Sequence, residues 1–415
     1  MAGTKRILFF AEAVTLAHVA RPIALASALD PARYECAIAC DPRYARFLSP
    51  GNWRNIEIHS ISSQQFLQAL ATGRPHHDYE VLSGYMREDL AVIRDYQPDL
   101  VVGDFRLSLA VSARVAGVPY AAISNAYWSP YFAGLRLPVP VLPLTRWLPI
   151  PLAQTLFTAA KPLAMRRHCA GINRLRRENG LHPVGGDLQR AYTDADYNLY
   201  PDVPQLFPMH DLPSSHSFIG PVLWSPHDAV PSWWDELRPD PPLIYLTLGS
   251  SGQASLLQLA LDALADLPVQ IIASTAGGPM PARIPRNARV TDYLPGTEAA
   301  SRSALMVCNA GSLSCQQALA AGVPILGIAI NIDQFLNMAA IADAGAGLLL
   351  RADRISSNRI HLAARQILSN ESFARGAKQL REALNRSGPA GARFEAMIPG
   401  LLHDWSTGAR SRTLN

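Results

Sequence analysis

The sequence predicts an α/β protein of two doubly wound domains, and three observations carry that reading. Short apolar runs alternate with helix-period segments through residues 6–124, and the same alternation restarts at residue 243. Between them, residues 221–242 lose all periodicity and become rich in Pro and Trp (Trp224, Trp233, Trp234), which marks a linker. A chain of 415 residues also exceeds what one hydrophobic core usually holds. Strands alternating with helices give parallel sheets covered on both faces.

Taken in order, residues 6–10 read as a strand, 19–29 as an amphipathic helix and 35–39 as a strand. Residues 79–95 follow as a helix, 100–103 as a strand, 107–116 as a helix and 120–124 as a strand. The pattern breaks at 135–151, where Pro138, Pro140, Pro143, Pro149 and Pro151 exclude a helix interior and a central strand. That long apolar loop either packs on its own domain or walls a pocket for an apolar ligand. Residues 152–179 form one or two helices with a basic side (Arg166, Arg167, Arg174, Arg176, Arg177). This side reads as a solvated face, with peripheral contact to an anionic membrane as the alternative.

After the linker, residues 243–247, 269–273, 288–291, 304–308 and 325–328 read as strands, and 256–264 as a helix. The expected division is a domain over 1–220, a linker over 221–242, a second domain over 243–395 and a tail over 396–415. Two such Rossmann-like units would face each other across a cleft, with ligands outside the carboxyl ends of the strands.

Composition narrows the function. A net charge of +4 with no clustered basic arm argues against nucleic acid. Five cysteines without a four-ligand zinc spacing read as reduced thiols, which suits the cytoplasm. No signal-peptide core and no run of about 18 apolar residues is found. The first strand lacks a Gly-x-Gly-x-x-Gly turn and no Gly-Lys-Ser/Thr motif occurs, against a dinucleotide dehydrogenase or a P-loop kinase.

Four segments carry chemistry in the second half. Gly249, Ser250 and Ser251 close a strand with a turn able to hold a phosphate, although such turns also arise for steric reasons. Tyr293 ends another strand, where it either stacks on a base or packs. Asn309, Gly311, Ser312 and Ser314, with Gln317 one turn on, set an amide, a hydroxyl and helix N-terminal N–H groups toward a diphosphate. Asp333 and Gln334 open a further helix and suit hydroxyl groups. Phosphate and polyol side by side point to a nucleotide sugar.

The order of these segments resembles the GT-B glycosyltransferases of the UDP-glycosyltransferase superfamily, of bacterial natural-product type, over nearly the whole chain and most strongly over 243–350. The family signature is His, a small residue, Gly, two variable residues and Ser or Thr, with an acid three further on. Ala-Gly-Val-Pro and an Asp-Gln before Asn complete it. Here that reads Asn309, Ala310, Gly311, Ser312, Leu313, Ser314, Gln317, then Ala321, Gly322, Val323, Pro324, Asp333, Gln334 and Asn337. The resemblance implies diphosphate contacts from Ser250, Asn309 and Ser314 and a ribose contact from Gln317. It further implies a base contact from Tyr293, sugar contacts from Asp333 and Gln334, and a C-terminal helix returning to the first domain. Asn309 stands for the family's His and Gln317 for its acid.

In the first half, the run from Thr15 to Pro22 is similar to the family's Gly-His-x-x-Pro segment, with Ala17 for Gly and one extra residue before Pro22. His18 at a strand's carboxyl end can take a proton from a hydroxyl at neutral pH, or serve as a capping or buried histidine. Asp104 either fixes its tautomer, as in a triad, or caps the next helix. Asn125, Tyr127, Trp128 and Tyr131 form either an aromatic acceptor wall or ordinary core. The expected reaction is inverting, metal-independent transfer of a sugar from a UDP- or dTDP-sugar, as co-substrate, to a hydroxyl of a hydrophobic acceptor. A lipid-linked sugar transferase of cell-envelope synthesis and a catalytically silent GT-B partner protein are the alternatives.

Overall fold

The structure, a computed structural model, describes residues 3–48, 51–133, 136–226, 230–249 and 254–407. The first half carries β1 (Lys5–Ala11), α1 (Leu16–Ser27), β2 (Tyr34–Cys40), α2 (Ala45–Leu48), β3 (Arg54–Glu57), α3 (Ser63–Thr72) and α4 (Tyr79–Tyr96). It continues with β4 (Leu100–Asp104), α5 (Leu109–Ala116), β5 (Tyr120–Ile123), α6 (Ile150–His168), α7 (Ala170–Glu178), α8 (Leu188–Tyr192), β6 (Tyr197–Tyr200) and β7 (His216–Phe218).

In the second half come β8 (Leu243–Thr247), α9 (Ala254–Leu264), β9 (Gln270–Ser274), β10 (Ala288–Thr291), α10 (Gly296–Ser301), β11 (Leu305–Cys308), α11 (Ser312–Ala321) and β12 (Ile325–Ala329). α12 (Ile332–Asp343), β13 (Gly347–Arg351), α13 (Ser357–Ser369), α14 (Glu371–Ser387) and α15 (Ala390–Ser406) complete the chain.

Among the described residues the strands make two parallel sheets, in the orders β3-β2-β1-β4-β5-β6-β7 and β10-β9-β8-β11-β12-β13. The central strands are continuous apolar runs because both faces are covered: Ile7, Leu8, Phe9 and Phe10 are buried, as are Leu305, Met306 and Val307. In each sheet the chain winds outward from one strand in two directions. The reversal lies between β1 and β4 in the first sheet and between β8 and β11 in the second. A crevice forms at such a point, outside the carboxyl ends, where the two connections diverge.

The chain divides into two compact units, and neither is contiguous. The first holds Met1–Leu135, Thr155–Val222 and Ser387–Asn415; the second holds Arg136–Gln154 and Leu223–Arg386. The C-terminal helix therefore returns to the first unit. There α15 packs on α1, Phe394 meets Phe9 edge-on at 6.0 Å, and Tyr197 Oη donates to the Leu401 carbonyl at 2.7 Å.

The Pro-rich loop joins the second unit, a placement that a contiguous boundary at residue 220 does not contain. Prolines leave its carbonyls without ladder partners, and arginines supply the donors. Arg351 Nη1 donates to Val139 O at 2.7 Å and Arg354 Nη2 to Leu148 O at 2.7 Å. Val141 N–H reaches the Ile330 carbonyl at 2.8 Å, just before α12.

Candidate functional site

The first unit places His18 and Asp104 at its sheet's point of reversal. Asp104 is the last residue of β4, and β4 pairs with β1 so that Ala11 stands opposite Asp104. His18 lies in the first turn of α1, which starts at Leu16, three residues before the helix start expected from periodicity. Pro22 sits inside this helix and has no N–H to offer the His18 carbonyl. His18 Nδ1 is 2.7 Å from Asp104 Oδ1, and the carboxylate is fully buried. A carboxylate accepts only, so the tautomer that bonds Asp104 through Nδ1–H is the one that would leave Nε2 as an acceptor. Asp104 does not cap the following helix, which begins at Leu109.

Arg21, the extra residue before Pro22, completes this group. Its Nη2 donates to Asp104 Oδ1 at 2.8 Å and lies 2.9 Å from His18 Nδ1, while Nη1 donates to Asn125 Oδ1 at 2.7 Å. Nε stands 2.7 Å from Asp104 Oδ2, close enough for an ion pair but not aligned as a directed hydrogen bond. Asn125 in turn donates to Tyr127 Oη at 2.7 Å. One guanidinium thus fixes the carboxylate that orients His18 and the amide at the end of β5.

Phe105 is a residue the sequence did not reveal. Its ring stacks on His18 at 4.7 Å with 10° between planes. Its φ of 61° is left-handed, which a non-glycine residue adopts at a cost of about 1–2 kcal/mol. The next residue anchors that strained turn. Arg106 is fully buried, donating from Nε to Asp89 at 3.0 Å, from Nη1 to Glu12 at 3.1 Å and from Nη2 to Glu88 at 2.8 Å. Burial would raise the Glu12 carboxyl, but His77, Arg106 and Tyr85 outweigh it and hold it below the usual range. Burial prevails at Asp89, whose carboxyl is raised.

Of the expected acceptor wall, Tyr127 and Trp128 are buried against other rings: Tyr127 meets Phe207 at 5.3 Å and Trp128 meets Tyr192 at 5.0 Å. Their burial supports core packing. Asn125 and Tyr131 are half-buried, and Tyr131 packs edge-on to His216 at 5.0 Å. The aromatic surface beside His18 is Phe105, which also contacts Phe66, His76, His77 and Tyr192.

The second unit brings its candidates to its own point of reversal. Gly249 follows β8 with φ +63°, and a Cβ there would stand 3.2 Å from Asn309 Nδ2, so the two turns touch. Ser250 and Ser251 lie outside the described residues. Asn309 follows β11, is 6% exposed, and accepts from Gly311 N–H at 3.1 Å. Ala310 is left-handed at φ 61° and is held by Asn337 Nδ2, which donates to its carbonyl at 2.9 Å. Behind the turn, Cys308 and burial push the Cys315 thiol well above its ordinary value.

The two helix starts on this edge differ. Gly311 caps α11 without a side chain, leaving the helix's positive end to whatever binds beside the half-buried Ser312 and Ser314. α12 is closed by its own residues: Asn331 accepts from Gln334 N–H at 3.0 Å, and Gln334 Oε1 accepts from Ile330 N–H at 2.8 Å. Gln334 therefore has a structural task, and Asp333 is half-buried beside it.

Gln317 is likewise buried and donates to the Trp224 carbonyl at 2.8 Å, tying the segment that enters the unit. Tyr293, two residues beyond β10, is half-buried, with its hydroxyl 2.6 Å from where a Gly277 Cβ would stand. Among the described residues no three His, Cys, Asp or Glu side chains gather as a metal site, and no helix is long and apolar enough to cross a membrane.

Comparison with known proteins bears on the family and the fold. Residues 258–393 match the family described as erythromycin biosynthesis protein CIII-like, C-terminal domain. A PGL/p-HBAD biosynthesis rhamnosyltransferase of Mycobacterium bovis (strain BCG / Pasteur 1173P2) is 51% identical over 93% of this chain and 85% of its own length. A PGL/p-HBAD biosynthesis glycosyltransferase of Mycobacterium tuberculosis (strain ATCC 25177 / H37Ra) is 48% identical over 97% of this chain and 93% of its own. Among solved structures, a spinosyn forosaminyltransferase superposes with a TM-score of 0.68 at 19% identity, over 97% of this chain and all of its own. The chain belongs to the GT-B glycosyltransferases, alongside the sugar transferases of bacterial natural-product and cell-envelope synthesis, and is an enzyme of that family.

Proposed function

We propose that this enzyme moves a sugar from a nucleoside diphosphate to a hydroxyl of a hydrophobic acceptor with inversion and without a metal. The observation that carries the reading is the His18 Nδ1 to Asp104 Oδ1 bond of 2.7 Å at the point of strand reversal, which leaves Nε2 as the base. His18 takes the hydroxyl proton, Asp104 stabilises the imidazolium, and the oxygen attacks the anomeric carbon opposite the leaving diphosphate. The apolar body of the acceptor rests on the Phe105 side.

On the donor side, Asn309, Gly249, Gly311, Ser312 and Ser314 receive the diphosphate, helped by the uncapped start of α11, which favours the charge that develops on departure. Asn309 stands in the first place of the donor signature and donates without adding charge. Tyr293 faces the base and Asp333 a sugar hydroxyl; Gln317 and Gln334, already bonded within the fold, hold the frame. The rhamnosyltransferase relative supports rhamnose as the transferred sugar, and the resemblance supports UDP or dTDP as its carrier.

The test is His18→Ala, assayed for transfer from nucleoside-diphosphate rhamnose and titrated with donor. Loss of a general base should lower kcat about 10²–10⁴-fold with donor affinity unchanged. Wild-type turnover would remove His18 from the mechanism.

A further inference from the structure

Helix α6 has no counterpart in the donor or base machinery, and its surface is unusual. Of the nineteen residues from Ile150 to His168, only Ala153 is buried. Leu152, Leu156 and Leu163 are 48%, 50% and 74% exposed. At about 100° per residue these three fall within about 40° of one another, a continuous apolar stripe. Trp147, 86% exposed, stands in the turn just before the helix. Leucines scattered singly on a surface are ordinary, but an aligned leucine row next to an exposed indole marks an interaction surface.

Charge identifies the partner. From Asp104 to Glu178 the sequence has no acidic residue in between, and ten Lys and Arg. Of these, Arg106 and Arg176 are buried and Arg114 pairs with Asp194. Arg146, Arg166 and Arg167 are exposed. On the helix, Arg166 and Arg167 flank the leucine stripe on either side at its C-terminal end. An exposed apolar stripe bracketed by arginines, with an indole at its start, is the pattern of a helix that lies in a membrane interface.

We propose that α6 docks on an anionic phospholipid bilayer. The leucines and Trp147 enter the boundary between headgroups and acyl chains, while Arg166 and Arg167 face the phosphates. The contact is peripheral, since no described helix crosses a membrane.

The test is co-sedimentation of the full chain with vesicles of phosphatidylcholine containing phosphatidylglycerol, against vesicles of phosphatidylcholine alone. The wild type should bind the anionic vesicles and release them at high salt. Replacing Arg166 and Arg167 together by Gln should weaken binding about 30-fold, from about 1 kcal/mol for each cation near the surface. Replacing Leu156 and Leu163 together by Ser should weaken it at least as much. Brominated lipid should quench tryptophan fluorescence of the wild type more than that of Trp147→Phe. All substituted positions are exposed, and unchanged circular dichroism confirms that the variants fold. No binding to the anionic vesicles, or binding that survives both double variants, overturns the proposal. So does a wild-type dimer that the leucine variant turns into a monomer, since the stripe would then belong to a second copy.

Discussion

At the scale of residues, His18 is held by more than the Asp104 carboxylate. Asp104 is buried between a histidine and an arginine, and removing Arg21 would leave that carboxylate with His18 alone. Breaking a buried ion pair costs about 3–5 kcal/mol, so Arg21→Met should destabilise the fold by about 3 kcal/mol, read as a lower urea midpoint. It should also depress kcat, because Asp104 and Asn125 lose the fork that fixes them. Arg21→Lys should restore stability better than turnover, since an ammonium cannot bond both partners in one plane. Equal restoration of both would show that charge alone matters there.

The pairing of His18 with Asp104 was legible because Asp104 ends β4 and His18 stands in a recognisable local run. Arg21 was not legible because its role depends on Asn125, 104 positions away. Phe105 was missed because a left-handed phenylalanine has no signature of its own. Tyr127 and Trp128 show the converse: an aromatic run at a strand end does not say which rings turn inward.

Elements tell a similar story. A strand with an unbroken apolar run, such as the Leu-Ile-Tyr-Leu of β8, matches its expected limits. β3, with the residues Arg-Asn-Ile-Glu, and β6, with Tyr-Asn-Leu-Tyr, went unread because edge position and buried polar groups erase the pattern. In β6, Asn198 is buried with its amide 3.4 Å from His216. The starts of α11 and α12 were legible as small or polar residues, but not as one open end and one closed end. That difference is testable. Asn331→Ala opens the capping box of α12 and should cost about 1 kcal/mol, seen in chemical unfolding, with a weaker donor contact at Asp333. Gly249→Ala should act on binding instead: its Cβ meets Asn309 and its φ of +63° suits glycine. Nucleotide affinity should fall while unfolding shifts by about 1 kcal/mol; unchanged affinity would separate Gly249 from the donor seat.

For the whole molecule, pH is the informative variable. His76 keeps some exposed surface, but its ring is enclosed by Phe66 at 5.4 Å, Phe105 at 5.4 Å and Tyr192 at 6.4 Å. That enclosure, with His77, His168 and His18 nearby, holds its imidazole well below the ordinary 6.5. The folded chain keeps His76 neutral where the unfolded chain takes up a proton. The stabilising contribution is therefore complete above pH 6.5 and declines as pH falls below it. Thermal midpoints should drop from pH 7 toward 5.5, and His76→Phe should flatten the slope.

The division of the chain into interleaved units has a bearing on biosynthesis. A ribosome releases every strand of the first sheet before it begins the second sheet, yet the helix that covers Phe9 is among the last segments translated. Until then the nascent first unit carries an open apolar flank, a substrate for chaperones and a hazard for aggregation. A chain ending at residue 386 would carry that flank permanently, so proteolysis should erode residues 1–135 first. Premature termination near the C-terminus thus injures the part of the protein made earliest.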